Sequence, residues 1–446
     1  MGESGPTDQI PATLKQRGAR SFWLGVIVIG LGTGGSTVAL TRLLYAVQHR
    51  AWPSSPSATL LEAVAHASPW RHIAVLVTAG VLTGLGQLLL VRLSSGNGID
   101  LTEAIAFKAG RLPRLRTLGS AVLSVVLVGM GTSLGREGAP KQAGAVIADA
   151  VCNAAHLPDE QRQLLVACGA GAGMAAAYGV PLGGALFALE VIRGALALRM
   201  VLPALLTALI ATAVSWLGLP DAPTYAIPAF QSTASIVWWS LLIGPMAGLA
   251  SVAYVRMVAR ADRNKPTGWR RFVAPSLALG ALGGLSIPFP QLLGNGKDIV
   301  QLAFAGELAL APMLALLLLK PLATVVCLGS GAPGGLFTPS LAFGALLGAS
   351  LGHLWSAWWP GVPPGLFAVV GGAAVLAATT QGPISTVVLV MELTGRDRSF
   401  IVPLLLAVST ATLVARTIEM RSIYDARLTD EQVEARRRGP SFGVTR

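Results

Sequence analysis

Apolar positions fill most of the chain between residues 22 and 415, in runs without the strict alternation of half-buried strands. The clearest runs are 22–47, 73–93, 117–134, 163–191, 200–219, 236–258, 308–328 and 338–359. Several approach or exceed the roughly 20 residues that an α-helix needs to cross a bilayer. Shorter runs at 142–153, 272–287, 366–379 and 383–394 are broken by Gly or Pro. Such backbone is tolerated at membrane depth only where it is buried in protein or lines a water-filled cavity. The pattern predicts an all-α polytopic membrane protein with helices of unequal length, some of them discontinuous.

The chain also repeats itself. Gly96-Asn97-Gly98-Ile99-Asp100 recurs as Gly294-Asn295-Gly296-Lys297-Asp298, 198 residues later. A Gly-rich block follows each copy, Gly135–Pro140 in the first and Gly331–Pro339 in the second. Gly169 then corresponds to Gly371, Pro181 to Pro383 and Glu190 to Glu392, each pair 202 residues apart. The expected organisation is a tail (1–21), two transmembrane repeats (22–219 and 220–415) and a second tail (416–446). Transporters built this way place their site at the repeat interface.

Composition narrows the class. Of 446 residues, 12% are charged and 53% hydrophobic, with 52 glycines; soluble domains carry about 25% charge. A soluble enzyme, a disordered chain and a secreted disulfide scaffold are excluded. The net charge of +12 gathers at Lys15–Arg20, Lys108–Arg116, Arg256–Arg271 and from Arg416 onward, each beside an apolar run. That is the positive-inside pattern, which predicts cytoplasmic loops and two cytoplasmic termini; no nucleic-acid motif accompanies the charge. Cys152, Cys168 and Cys327 lie far apart in apolar sequence, and the five histidines lack zinc spacing, so neither disulfide nor metal nor cofactor is expected. The polar, basic first twenty residues predict no cleaved signal peptide.

Four breaks inside apolar surroundings are the candidate chemistry. In Gly135–Pro140, Arg136 and Glu137 are ionisable groups at membrane depth, which is costly and points to function. Flanking glycines at a helix start expose N–H groups that suit an anion. A carboxylate held there occupies the anion's place and leaves it on protonation, which makes Glu137 a candidate gate. The run Gly331–Pro339 opens another helix, where the Leu336 and Phe337 amides can face the same ion. Asn97 offers amide donors, and Tyr424, after the last apolar run, offers a hydroxyl. No His occurs in these blocks and their carboxylates are Glu137 and Asp100, so transport, not intramembrane catalysis, is expected.

At these residues the chain resembles the CLC family of chloride channels and chloride/proton exchangers, over about 25–425. The family's pore signatures, commonly GSGIP, GKEGP or GREGP, and GxFxP, appear as Gly96-Asn97-Gly98-Ile99-Asp100, Gly135-Arg136-Glu137-Gly138-Ala139 and Gly335-Leu336-Phe337-Thr338-Pro339. The filter tyrosine matches Tyr424, and Ala175–Glu190 is also similar. The resemblance implies an inverted-repeat fold of many tilted helices and a homodimer with one pore per subunit, set in membrane lipid of a bacterial inner (plasma) membrane. It further implies Glu137 as gating glutamate, with the Gly138, Leu336 and Phe337 amides, Asn97 and the Tyr424 hydroxyl around a halide.

Two departures bear on mechanism. The family's filter serine is Asn97 here and the following proline is Asp100. Aligning through Pro181 and Phe187 places the exchangers' internal, proton-donating glutamate at Val191, next to Glu190. A ClcB-like chloride channel and a fluoride/proton antiporter both fit this pattern. The likeness of Ala175–Glu190 and Ser422-Ile423-Tyr424 favours the chloride channel, and the antiporter, with protons as second substrate, is the alternative.

Overall fold

A computed structural model describes residues 10–11, 13–16, 18–55, 58–93, 101–396, 400–426 and 428–438. Its first half contains α1 (Ala19–Ala51), α2 (Leu60–Ala65), α3 (Pro69–Leu93), α4 (Leu101–Phe107), α5 (Arg114–Gly129), α6 (Gly138–Ala154), α7 (Asp159–Tyr178), α8 (Pro181–Phe187) and α9 (Leu198–Ser215). The second contains α10 (Ala234–Arg263), α11 (Arg270–Leu285), α12 (Lys297–Ala305), α13 (Leu310–Gly329), α14 (Phe337–Ser356), α15 (Pro364–Thr380), α16 (Pro383–Thr394), α17 (Ile401–Ile418) and α18 (Asp430–Arg438). The protein is all-α, as the apolar pattern predicts. Among the described residues seven helices are long and apolar enough to cross a membrane.

Length alone shows that the helices are not uniform crossings. α1 has 33 residues, about 50 Å at 1.5 Å per residue, against about 30 Å of hydrocarbon; it crosses obliquely or projects beyond. α8 has 7 residues and cannot span. The apolar run 163–191 is therefore not one helix. Gly179, at φ 69°, ends α7, and Pro181 starts α8, where its missing N–H costs nothing. The chain then widens into a π-helical turn, Ala188–Arg193.

The two innermost helices are α7 and α15. Every α15 residue after Pro364 is buried, as is nearly all of α7; a helix apolar on all sides belongs inside. Glycines let their neighbours approach. A Cβ at Gly144 of α6 would strike the Gly169 carbonyl of α7, and one at Gly344 of α14 would meet the Gly371 carbonyl of α15 at 2.6 Å. Small residues at helix contacts are the usual device for close packing in lipid. Outward faces carry large apolar side chains instead, such as Leu24, Leu89, Leu242, Leu318 and Leu413.

A reciprocal contact ties the two halves together. The Glu190 carboxylate accepts the N–H groups of Ile384 at 3.1 Å and Ser385 at 2.6 Å, capping α16. The Glu392 carboxylate accepts those of Leu182 at 3.0 Å and Gly183 at 2.6 Å, capping α8. Both helices begin with proline.

Candidate functional site

Two non-helical segments, 132–136 and 332–336, each lead into a helix. Gly131 and Gly331 start them with the same left-handed φ of 103°, which a side chain would strain. The segments then pair: Gly135 N–H donates to the Gly335 carbonyl at 2.7 Å, and Gly335 N–H donates back at 2.7 Å. That bridge holds the starts of α6 and α14 side by side. Glu137 and Leu336 are their cap residues, so Gly138 and Phe337 are the first helical residues. Unsatisfied N–H groups and the positive ends of two helix dipoles converge there.

Glu137 fills the convergence and is fully buried. Its Oε1 accepts the Phe337 N–H at 2.8 Å. Its Oε2 lies 3.2 Å from the Tyr178 hydroxyl and 3.4 Å from the Thr338 hydroxyl. Those hydroxyls are 2.7 Å apart. Either hydroxyl can donate to the other, and each can donate to Glu137, so the three groups form one hydrogen-bonded cluster around the carboxylate. A Cβ at Gly135 or Gly335 would land on the carboxylate oxygens. The glycines therefore do more than bare their amides: their missing side chains make the slot.

Arg136 does not neutralise its neighbour. Among the described residues it forms no ion pair with Glu137; its guanidinium lies 5.0 Å above the Tyr178 ring and reaches the Tyr45 hydroxyl and Ala177 carbonyl, each at 3.4 Å. It steadies the tyrosine that holds the carboxylate. From Tyr178 a row of rings continues through Phe337 (6.1 Å) and Phe187 (6.4 Å) to Tyr424 (5.7 Å), each figure the distance from the preceding ring. At its end a cavity of about 140 Å³ is lined by Gly138, Lys141, Gly335, Leu336, Ile423 and Tyr424.

Of the residues singled out from sequence, Glu137, Gly138, Leu336, Phe337 and Tyr424 come together at this carboxylate and cavity. Asn97 and Asp100 lie outside the described residues. Sequence reasoning passed over Tyr178, Thr338 and Lys141. The first two sit inside blocks already marked by their Gly and Pro, and Lys141 was visible as an ionisable residue one helical turn after Glu137.

At the second departure, the Val191 side chain is buried and its carbonyl accepts from Arg436 of α18 at 2.6 Å. Arg436 also donates to the Ile192 carbonyl at 2.9 Å and pairs with Asp425. The adjacent Glu190 is held at α16, as described above. A cation thus sits on the Val191 backbone.

Residues 79–416 match the family of voltage gated chloride channels, Voltage_CLC. The chain belongs to the CLC family. A relative in Ralstonia nicotianae, a putative chloride channel protein described as ClcB-like, is 32% identical, covering 93% of this chain and 98% of its own. The CLC fold is shared with a slow cyanobacterial Cl⁻/H⁺ antiporter at a TM-score of 0.78 and 23% identity, over 91% of this chain and 96% of the other. It is shared too with a CLC-type fluoride/proton antiporter, at a TM-score of 0.68 and 23% identity, over 92% and 98%. CLC membership makes the chain an integral membrane protein of anion transport.

Proposed function

We propose that the protein conducts chloride through a pore closed by Glu137, as a channel in which anion flow is not tied to proton exchange. The observation that carries this reading is the chemistry at Val191. A valine there has no proton to give, the Arg436 guanidinium on its carbonyl disfavours a second cation, and the Glu190 carboxylate is engaged by two amides. In the closed arrangement Glu137 occupies the donors that a chloride would use. Protonation removes its charge, weakens its hold on the Phe337 amide and frees the site. Gly138, Leu336 and Phe337 then face the ion, with Tyr424 and Asn97 as further donors. Residues 22–219 and 220–415 act as the two repeats meeting at the pore. The protein works as a homodimer in a bacterial inner membrane with its basic tails in the cytoplasm, and exposed Leu198, Leu202, Leu405 and Leu413 suit burial in lipid or against a second subunit.

The second reading is fluoride/proton antiport. It is favoured by Asn97 in place of serine, because small, strongly hydrated fluoride needs more donors to replace its water. One experiment separates the two: purified protein in liposomes, with chloride or fluoride gradients and a pH electrode. Chloride efflux without uphill proton movement is expected; proton uptake against its gradient, driven by either halide, overturns the channel reading. Glu137→Gln should raise chloride efflux at neutral pH and flatten its pH dependence. Asn97→Ser should shift the fluoride/chloride ratio.

A further inference from the structure

Three helix ends meet about 18 Å along α6 from Glu137: α5 starts at Arg114, α6 ends at Ala154 and α7 starts at Asp159. Between them lies a cleft of about 470 Å³ whose lining includes Arg111, Arg114, Leu115, Asp149, Asn153 and Arg162. The start of α5 runs against the usual rule. The first turn of a helix favours acids, because its N–H groups and dipole present positive charge there, yet this turn carries Arg114 and Arg116 and no acid, and its cap residue Pro113 offers no side-chain acceptor. Asp149 answers only part of that charge. Its Oδ2 accepts from Arg114 Nε at 2.7 Å and its Oδ1 from Arg162 Nη1 at 3.5 Å. One buried carboxylate thus turns both oxygens to two guanidiniums, and one positive charge is left over. Arg162 is 7% exposed, and its Nε is buried with no acceptor, which is costly for a charged group. Arg111 meets Asp159 at 2.9 Å, with both side chains more than half exposed, where an ion pair contributes little.

We propose that this cleft binds the phosphate of an anionic phospholipid, with an acyl chain lying along α5. Three arginines, Arg111, Arg114 and Arg162, stand against two carboxylates, and Arg114 Nη1 has no acceptor among the described residues. Guanidinium forks match phosphate oxygens, and basic pockets between helices at the membrane surface are receptors for anionic headgroups. The other half of the site is apolar. Leu115 lines the cleft and is 71% exposed. Leu118 and Val122 follow it three and seven residues on and are exposed as well, so a single stripe of α5 leads away from the cleft. A free phosphate would use the arginines and leave the stripe bare; a phospholipid uses both. Arg114 and Arg162 also grip Asp149 of α6, the helix capped by Glu137 at its other end, so the headgroup braces the helix on which the carboxylate is mounted.

The site stands whether the pore is a channel or an exchanger, because binding is read directly and not through flux. Purified full-length protein in detergent is titrated with dioleoyl phosphatidylglycerol, dioleoyl phosphatidylcholine and inorganic phosphate, and bound ligand is counted by native mass spectrometry. Phosphatidylglycerol should bind at least about tenfold more tightly than phosphatidylcholine. Arg111→Gln combined with Arg114→Gln should weaken phosphatidylglycerol by about 25-fold, the usual contribution of two basic residues at an anionic surface, and leave phosphatidylcholine unchanged. Leu115→Ser, at an exposed position, should weaken phosphatidylglycerol without altering its salt dependence. Equal binding of the two lipids, or a preference untouched by the double variant, overturns the proposal and leaves the Glu137-dependent efflux standing. Inorganic phosphate that binds as tightly as the lipid, with Leu115→Ser silent, overturns it too, since the cleft would then hold a free anion. Removing Arg114 leaves Asp149 with one partner. Should the double variant not fold, Arg111→Gln alone, expected to be about fivefold weaker, is joined by an electron-microscopy map of the unaltered protein in phosphatidylglycerol nanodiscs. Headgroup density in the cleft supports the site, and lipid density elsewhere with this cleft empty refutes it.

Discussion

Glu190 offers the sharpest test of how this chain uses its carboxylates, because two roles compete for it. It sits next to Val191, the position on which the channel proposal rests, yet its oxygens accept the Ile384 and Ser385 amides at 3.1 and 2.6 Å. Glu190→Gln keeps the shape, removes the charge, and turns one acceptor into an NH₂ group facing an N–H. One hydrogen bond to a charged group, worth about 1.5–3 kcal/mol net, is lost, together with a dipole contribution of about 0.3–1 kcal/mol. The expected cost is about 2–4 kcal/mol. With an unfolding entropy near 2.1 cal/mol/K per residue, that lowers the melting temperature of a chain this long by about 2–4 °C. Glu392 makes the same contacts at 3.0 and 2.6 Å on α8, so Glu392→Gln should cost about as much. Thermal unfolding at a fixed scan rate reads both variants, and liposome efflux with a pH electrode reads coupling. Lowered stability with unaltered halide flux and no change in proton movement is expected. Unchanged stability with altered proton movement would show that Glu190 acts as a proton donor and that the capping account is wrong.

Three further outcomes follow from contacts at the gate and its supports. Tyr178→Phe removes the hydroxyl 3.2 Å from Glu137; a net loss of about 1.4 kcal/mol from the closed state predicts roughly tenfold more efflux at neutral pH. The difference should vanish at pH low enough to protonate Glu137 in both proteins, and a pH profile of efflux checks it. Arg436→Ala removes donors to the Val191 and Ile192 carbonyls and should lower stability by about 1.5–3 kcal/mol while leaving halide efflux intact, measured by thermal unfolding and liposome assay. Gly344→Ala places a Cβ 2.6 Å from the Gly371 carbonyl and 2.7 Å from Val375 Cβ, overpacking at a cost of about 1–3 kcal/mol; because α14 carries Phe337, its efflux should change along with its melting temperature.

Much of this protein is legible from its sequence, for physical reasons that can be traced residue by residue. Apolar runs near spanning length mark α1, α3, α10 and α13, since nothing but a helix satisfies its own backbone in lipid. Glu137 stands out because a carboxylate beside glycines at membrane depth has few other uses. Where one apolar run becomes two helices is harder to read. The break at Gly179-Val180-Pro181 is written in residues that also occur inside helices, and only packing of α8 against its surroundings makes it final. Tyr178 and Thr338 escaped notice because each is an ordinary side chain until a fold brings residues 160 apart within 2.7 Å. Lys141 escaped because attention to motif letters stops at the proline before it.

Under the proposed gating by Glu137, the reciprocal caps and the glycine bridge let a buried carboxylate move without disturbing its surroundings. Glu190 and Glu392 fasten α8 and α16 to each other with carboxylates on amides, and Gly135 and Gly335 fasten the two helix starts with amides on carbonyls. Both fastenings cross between distant parts of the chain, and neither uses the Glu137 side chain. The scaffold around the anion path is therefore complete whether or not Glu137 is docked, and moving the carboxylate costs only its own bonds to Phe337, Tyr178 and Thr338. A gate of that kind opens without loosening the frame. Hydrogen exchange on the full chain tests the point: the bridged Gly135 and Gly335 amides should be protected equally in the original and in Glu137→Gln, and their deprotection in the variant would show that the carboxylate is part of the frame after all.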